Sequence, residues 1–243
     1  MTIRIPFLDP KRFEEFPPIE SALREPDGLL AGGGDLSPER LLSAYRRGIF
    51  PWYSRGQPIL WWSPDPRTVF MTEHMHVPRK LARWLRACNW TIRADTAFET
   101  VVRACAAPRA GQRGTWIDAD MRKAYVRLHE LGFAHSIEAW DGDALAGGIY
   151  GVAIGRMFFG ESMFSAADNG SKVALLVLSR VLCDWGYPML DAQVASPHLF
   201  TLGAIELPRA EFCARIAELA GLEGAPGSWQ HAFPRLAPAD LAR

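Results

Sequence analysis

The sequence predicts an α+β protein with a small N-terminal domain and a larger C-terminal one, and three features carry that expectation. Pro58, Pro64 and Pro66 punctuate the chain just ahead of the apolar run Thr68-Val69-Phe70, which sets a boundary near residue 65 and divides the chain into 1–65 and 66–243. Residues 136–140, 144–154 and 156–159 read as an antiparallel meander, turned at Asp141-Gly142-Asp143 and again at Gly155. A largely apolar helix over 171–185, stopped by Gly186, then feeds a buried strand over 189–194.

The remaining elements follow in order. Ser37-Pro38 reads as an N-cap and first helical residue, with Leu41, Leu42 and Tyr45 on one apolar face and Gly48 ending the helix. After it comes a stretch too broken by proline and glycine for regular structure, in which Trp52, Tyr53, Trp61 and Trp62 lie among Arg46, Arg47, Arg55 and Arg67. Residues 78–87 open with Pro78 at the first helical position and place Leu81 and Leu85 on one face. Arg79, Arg83 and Arg86 recur at i, i+4 and i+7 beside Lys80, a basic stripe that reads either as a solvated face or as a phosphate track. Residues 95–106 and 119–131 read as amphipathic helices, the second stopped at Gly132.

Composition narrows the function classes. With 27 basic and 27 acidic residues the formal charge is zero, so no protein-wide field attracts a polyanion and any nucleic-acid contact must come from a local patch. That suits transient substrate binding and argues against a DNA partner. Cys88, Cys105, Cys183 and Cys213 form no Cys-x-x-Cys pair, so no metal is expected and the thiols read as structural ones in a reducing cytosol. The N-terminus lacks an apolar signal core, and no window approaches the roughly 20 apolar residues of a membrane span. A cytoplasmic protein without a membrane partner is the expectation.

Several familiar motifs fail. Gly32-Gly33-Gly34 is not followed by Lys-Ser/Thr and lacks the spacing of a dinucleotide turn, so nucleotide chemistry has no support. Ser162 cannot sit on a nucleophile elbow, because Phe164 stands where the second glycine is required. His198 and Asp191 are two-thirds of a triad on paper only.

The aromatic stretch leaves two readings open. Its rings and guanidinium groups suit stacked bases and phosphates, and they equally suit the core of a loop-rich subdomain. Its phrase Gly-Leu-Leu-Ala-Gly-Gly-Gly-Asp-Leu-Ser-Pro-Glu-Arg, followed by Phe50-Pro51-Trp52-Tyr53 and Trp61-Trp62-Ser63-Pro64-Asp65-Pro66-Arg67, resembles the N-terminal signature of leucyl/phenylalanyl-tRNA–protein transferases. Gly114-Thr115-Trp116-Ile117, residues 159–165 and the segment Leu190-Asp191-Ala192-Gln193 with His198-Leu199 and Leu202-Gly203-Ala204 match the same family in the same order. The resemblance runs from about residue 23 to about residue 212. It implies an acyl-CoA N-acyltransferase-like (GNAT-like) C-terminal domain, the fold to which the order of strands, long helix and strand also points. It further implies transfer of leucine or phenylalanine, and by extension methionine, from leucyl-tRNA or phenylalanyl-tRNA to proteins with an N-terminal Arg or Lys, which in the family marks them for N-degron degradation.

Such a reaction needs little base catalysis. The ester is already activated, and an α-amine with a pKa of about 7.7–8.0 is partly neutral near pH 7. Alignment of amine and carbonyl can supply about 7–11 kcal/mol, so no cofactor is expected. Asp191 and Gln193 lie two apart on the expected strand, which would aim both side chains at one face. From the residues alone this is either a buried polar pair or a reactive one. The resemblance makes it catalytic, Gln193 taking the amine's proton with Asp191 assisting. Because a neutral amide is too weakly basic to hold a proton, we read Gln193 as orienting the amine. Glu161, expected at a strand end, is by resemblance a substrate-binding carboxylate and from the residues alone equally a partner for an arginine.

The resemblance also assigns Trp52 and Trp116 to stacking on the terminal adenine, and Arg79, Lys80, Arg83 and Arg86 to tRNA. It lines an amino-acid pocket with Ile149, Phe158, Met163, Leu175, Leu178, Leu182 and Leu190, residues that otherwise read as plain core. Ile149, Leu178 and Leu182 are aliphatic where some relatives carry Met or Phe, which leaves the preference between Leu and Phe open.

Overall fold

The computed structural model describes residues 4–108, 115–225 and 227–242. Gly114, the first residue of the Gly-Thr-Trp-Ile motif, lies outside the described residues. The strands are β1 (Phe7–Leu8), β2 (Leu29–Gly33), β3 (Phe50–Pro51), β4 (Leu60–Trp62), β5 (Arg67–Met71), β6 (Thr91–Ala94), β7 (Ala134–Asp141), β8 (Ala144–Ile154), β9 (Met157–Ser165), β10 (Met189–Gln193) and β11 (Ile205–Leu207). The helices are α1 (Pro38–Tyr45), α2 (Arg79–Ala87), α3 (Phe98–Cys105), α4 (Ala119–Glu130), α5 (Gly170–Asp184), α6 (Pro197–Phe200) and α7 (Arg209–Leu219).

Local chemistry accounts for most of these bounds. Ser37 caps α1 through the Arg40 amide with Pro38 at the first helical position, and Gly48 follows at φ 72°. A side chain at Gly48 would also strike Cys213 Sγ at 2.9 Å. Asp118 caps α4 by accepting from the Met121 amide at 2.8 Å. Pro78 is the N-cap of α2 and not its first helical residue. The helix expected over 95–106 starts only at Phe98, because Asp95 is left-handed (φ 57°) and leaves the helical region.

Two sheets form. The small one has the order β1-β2-β4-β3, so the aromatic stretch is not the irregular segment its prolines suggest: β4 pairs with both β2 and β3. The large sheet runs β11-β5-β10-β9-β8-β7-β6. Its pairs are antiparallel except β9 with β10, which α5 joins as a crossover. A mixed α/β fold, with an N-terminal sheet ahead of a C-terminal sheet domain, is thus in place.

One core lies on each face of the large sheet. On one, α2 and α5 pack with Ile137, Ile149, Phe158, Leu190 and Trp229. On the other, α1, α3, α4 and α7 pack with the small sheet against Tyr150, Val152, Phe159 and Met189, so residues from both sides of position 65 share this core. Helix α5 is apolar nearly all round because it is buried nearly all round. Its start approaches β8 so closely that a Cβ on Gly170 would meet Ala146 O at 2.2 Å.

Candidate active site

Two β-bulges lie on neighbouring strands. Gly151 pairs with Gly160 and Tyr150 with Ser162, which leaves Glu161 as the extra residue on β9. Asp191 pairs with Val69 and Gln193 with Thr68, which leaves Ala192 extra on β10. A bulge re-aims the side chains that follow it. Two expectations therefore need correcting. Glu161 lies inside β9, not at its end. Asp191 and Gln193 do not share a face: Gln193 is left-handed at φ 62°, which breaks the two-residue alternation.

Asp191 is fully buried and faces a buried arginine. Arg67 Nε donates to its Oδ1 at 2.8 Å and Arg67 Nη2 to its Oδ2 at 2.7 Å, a bidentate fork. Oδ1 also accepts the Gln193 amide N–H at 2.9 Å. These bonds take up both oxygens, so Asp191 completes no triad with His198 on α6. Removing either ionic partner would strand a buried charge, at a cost of about 3–5 kcal/mol.

Gln193 Nε2 instead donates to Glu161 Oε1 at 2.8 Å, which turns the amide oxygen away from Glu161. Tyr45 Oη donates to Oε1 at 2.7 Å, Tyr125 Oη donates to Oε2 at 2.5 Å, and the two phenols stand 2.6 Å apart. Three oxygen–oxygen contacts close a ring. Burial and the neighbouring carboxyl push both phenols well above the usual tyrosine range, so both keep their protons. Burial is the main cause raising Glu161 to about 7; the Tyr125 and Tyr45 hydrogen bonds pull it down, and the Asp191 charge pushes it up. Glu161 is thus a buried carboxyl that titrates near neutrality, and its hydrogen-bond partners are Tyr45, Tyr125 and Gln193 rather than an arginine.

Two cavities meet at this cluster. An apolar pocket of about 350 Å³ is lined by Ile149, Met163, Leu175 and Leu190 from the expected set, joined by Phe70 and Leu199. Phe158, Leu178 and Leu182 are buried in the core behind it and do not line it. A wider cleft of about 720 Å³ is walled by Trp52, Arg55, Trp116 and Gln193. Trp116, Glu161, Ser162, Ala192 and Val194 line both.

The aromatics divide by role. Trp61 is fully buried core, whereas Trp52 is 43% exposed at the cleft, 5.5 Å from the Trp62 ring. Arg67 is buried, and Arg46, Arg47 and Arg55 stay exposed. Arg79, Lys80, Arg83 and Arg86 are exposed along α2 and line neither cavity. Arg86 Nη2 reaches Ala242 O at 3.2 Å. Among the described residues no cluster of His, Cys, Asp and Glu is placed to hold a metal, and no helix is long and apolar enough to cross a membrane.

Sequence reasoning missed Tyr45, Tyr125 and the inward turn of Arg67. The available signal was that a tyrosine on the buried face of a helix carries a hydroxyl that needs a partner.

Residues 69–217 match the family model described as leucyl/phenylalanyl-tRNA protein transferase, and residues 34–65 match the model of that family's N-terminal domain. A leucyl/phenylalanyl-tRNA–protein transferase of Xanthomonas oryzae pv. oryzae (strain MAFF 311018) is 60% identical over 227 residues, covering 93% of this chain and 91% of that protein. One from Xylella fastidiosa (strain M23) is 54% identical over 235 residues, covering 96% of this chain and 97% of that protein. Among solved structures, a functionally unknown conserved protein of Staphylococcus epidermidis covers 74% of this chain and 68% of its own at 9% identity, with a TM-score of 0.38, too low to argue a shared fold.

Proposed function

This chain belongs to the leucyl/phenylalanyl-tRNA protein transferase family, and on that premise we propose how its site works and which acceptors it takes. The protein is an aminoacyltransferase that moves leucine or phenylalanine from aminoacyl-tRNA onto proteins. The reading of the site rests on one observation: an apolar pocket of about 350 Å³ opens, at Glu161, into an aromatic-walled cleft. The donor's side chain fills the pocket, its terminal adenine stacks on Trp52 and Trp116, and the ester carbonyl lies at the junction. The acceptor is a protein with an N-terminal Arg or Lys, met in the cytoplasm where charged tRNA is made. The C-terminal domain is GNAT-like, with its parallel β9–α5–β10 crossover.

The outward amide oxygen of Gln193 accepts a hydrogen bond from the attacking amine. As the amine nitrogen bonds to the ester carbon, the ribose oxygen leaves and takes up the proton the amine loses. A neutral Glu161 serves this step, because an ionised carboxylate beside the amine would favour the unreactive ammonium form. Asp191, which also borders the apolar pocket, holds the bulge.

The direct test is transfer from labelled leucyl-tRNA to peptides that differ only in their first residue, with EDTA present and ATP and coenzyme A absent. Transfer to Arg- and Lys-starting peptides and not to Ala-starting ones is expected; dependence on an added metal would overturn the cofactor-free reading.

Two further outcomes are expected. Ile149→Phe puts a ring into the pocket and penalises phenylalanyl-tRNA more than leucyl-tRNA, by about 10-fold in the ratio of kcat/KM. Equal losses would place Ile149 in the general core. Arg79→Ala with Arg83→Ala weakens donor binding irrespective of tRNA sequence and flattens its logarithmic salt dependence by roughly 1–2. Unchanged affinity at low salt would make the α2 stripe a solvated face.

A further inference from the structure

We propose that Arg67 is a positioning residue for transfer, acting on Gln193 through Asp191. The proposal rests on the reading of Gln193 as the group that orients the amine. Arg67 itself lines neither cavity.

Its guanidinium is fixed on every side. Besides the fork to Asp191, Nη1 donates to Gly48 O at 3.1 Å, and the Phe50 and Phe212 rings stand 4.6 and 4.7 Å from Cζ. It thereby ties the end of α1, β3 and α7 to one carboxylate on β10. A guanidinium held in a fork between two aromatic faces defines an orientation as well as a charge, which an ammonium cannot do.

The fork matters because of what Asp191 does next. Its Oδ1 accepts the amide N–H of Gln193, two residues on, across the bulge. That bond supports a left-handed glutamine, a conformation that a residue with a Cβ holds only when its surroundings impose it. The same conformation carries the Gln193 amide to Glu161. Loosening Arg67 would let Asp191 rotate, release the Gln193 N–H and allow the bulge to relax toward ordinary strand. The amide would then leave its place at the junction of the two cavities.

A double-mutant cycle on the single-turnover rate, with saturating leucyl-tRNA and an Arg-starting peptide, tests this against a role in folding alone. Arg67→Lys is expected to slow transfer about 10-fold or more while donor binding changes less than about two-fold. In a Gln193→Ala background the same change is expected to slow transfer less than about two-fold further, while the fall in Tm stays the same in both backgrounds. An equal rate loss in both backgrounds would overturn the proposal. A Gln193→Ala enzyme with the normal rate would sink the reading of Gln193 itself, and with it the route from Arg67. If Arg67→Lys does not fold, Phe212→Leu, which removes one face of the sandwich, enters the same cycle and is judged by the same coupling.

Discussion

Gln193→Glu is expected to slow single-turnover transfer about 100-fold, as Gln193→Ala does, with donor tRNA binding largely kept in both. The amide now bridges two functions, donating from Nε2 to Glu161 and presenting its oxygen to the amine. A carboxylate at that position has no hydrogen to donate and would stand about 2.8 Å from Glu161 Oε1. Two carboxyls that close cannot both ionise, so one is driven to hold a proton and the pair shares it. The new oxygen then faces Glu161 in place of the amine. If the side chain instead worked as a base, a carboxylate would be the better one, and Gln193→Glu would keep or improve the rate and shift its pH profile. A near-normal rate at pH 7 would therefore restore the base reading.

The expected loss depends on a feature that periodicity hides. Alternation along a strand places Asp191 and Gln193 side by side, and the sequence offers nothing to contradict it. The bulge at Ala192 separates them, and it persists because Arg67, 124 residues away in the chain, holds Asp191. No local pattern encodes a contact of that range. The bulge at Glu161 is more legible, since a glycine at position 160 inside an apolar strand is a recognised bulge signal.

Elements whose start or stop chemistry lies within a few residues were readable. Ser37-Pro38, Gly132, the Asp141-Gly142-Asp143 turn and Gly186 mark bounds that the fold keeps within a residue or two. The four short strands of the small sheet were not, because each is two to five residues long and depends on pairing partners beyond its own local pattern. The pocket was half legible for a similar reason. Ile149, Met163, Leu175 and Leu190 line it, yet Phe158, Leu178 and Leu182 have the same composition and periodicity and lie one layer behind. Apolar character says that a residue is buried; only packing says whether it borders empty space.

The state of Glu161 carries the second large effect. Its ordinary pKa of 4.5 rises to about 7 in the fold, so between those values the folded chain keeps a proton that the unfolded chain has released. Stability contributed by this group is fully present below pH 4.5 and is lost as pH rises through 7, because the folded state binds the extra proton. At about 1.4 kcal/mol per pH unit the contribution is roughly 3 kcal/mol. Glu161→Gln removes the titration and keeps the shape. The unfolding free energy of Glu161→Gln, measured in urea against the unsubstituted protein, should therefore improve by roughly 2–3 kcal/mol in relative terms between pH 5 and pH 8. Transfer by the variant should also lose the fall-off at high pH that ionisation of Glu161 imposes, because its junction stays neutral. A stability difference that stays constant from pH 5 to pH 8 would mean that Glu161 is already ionised at pH 5.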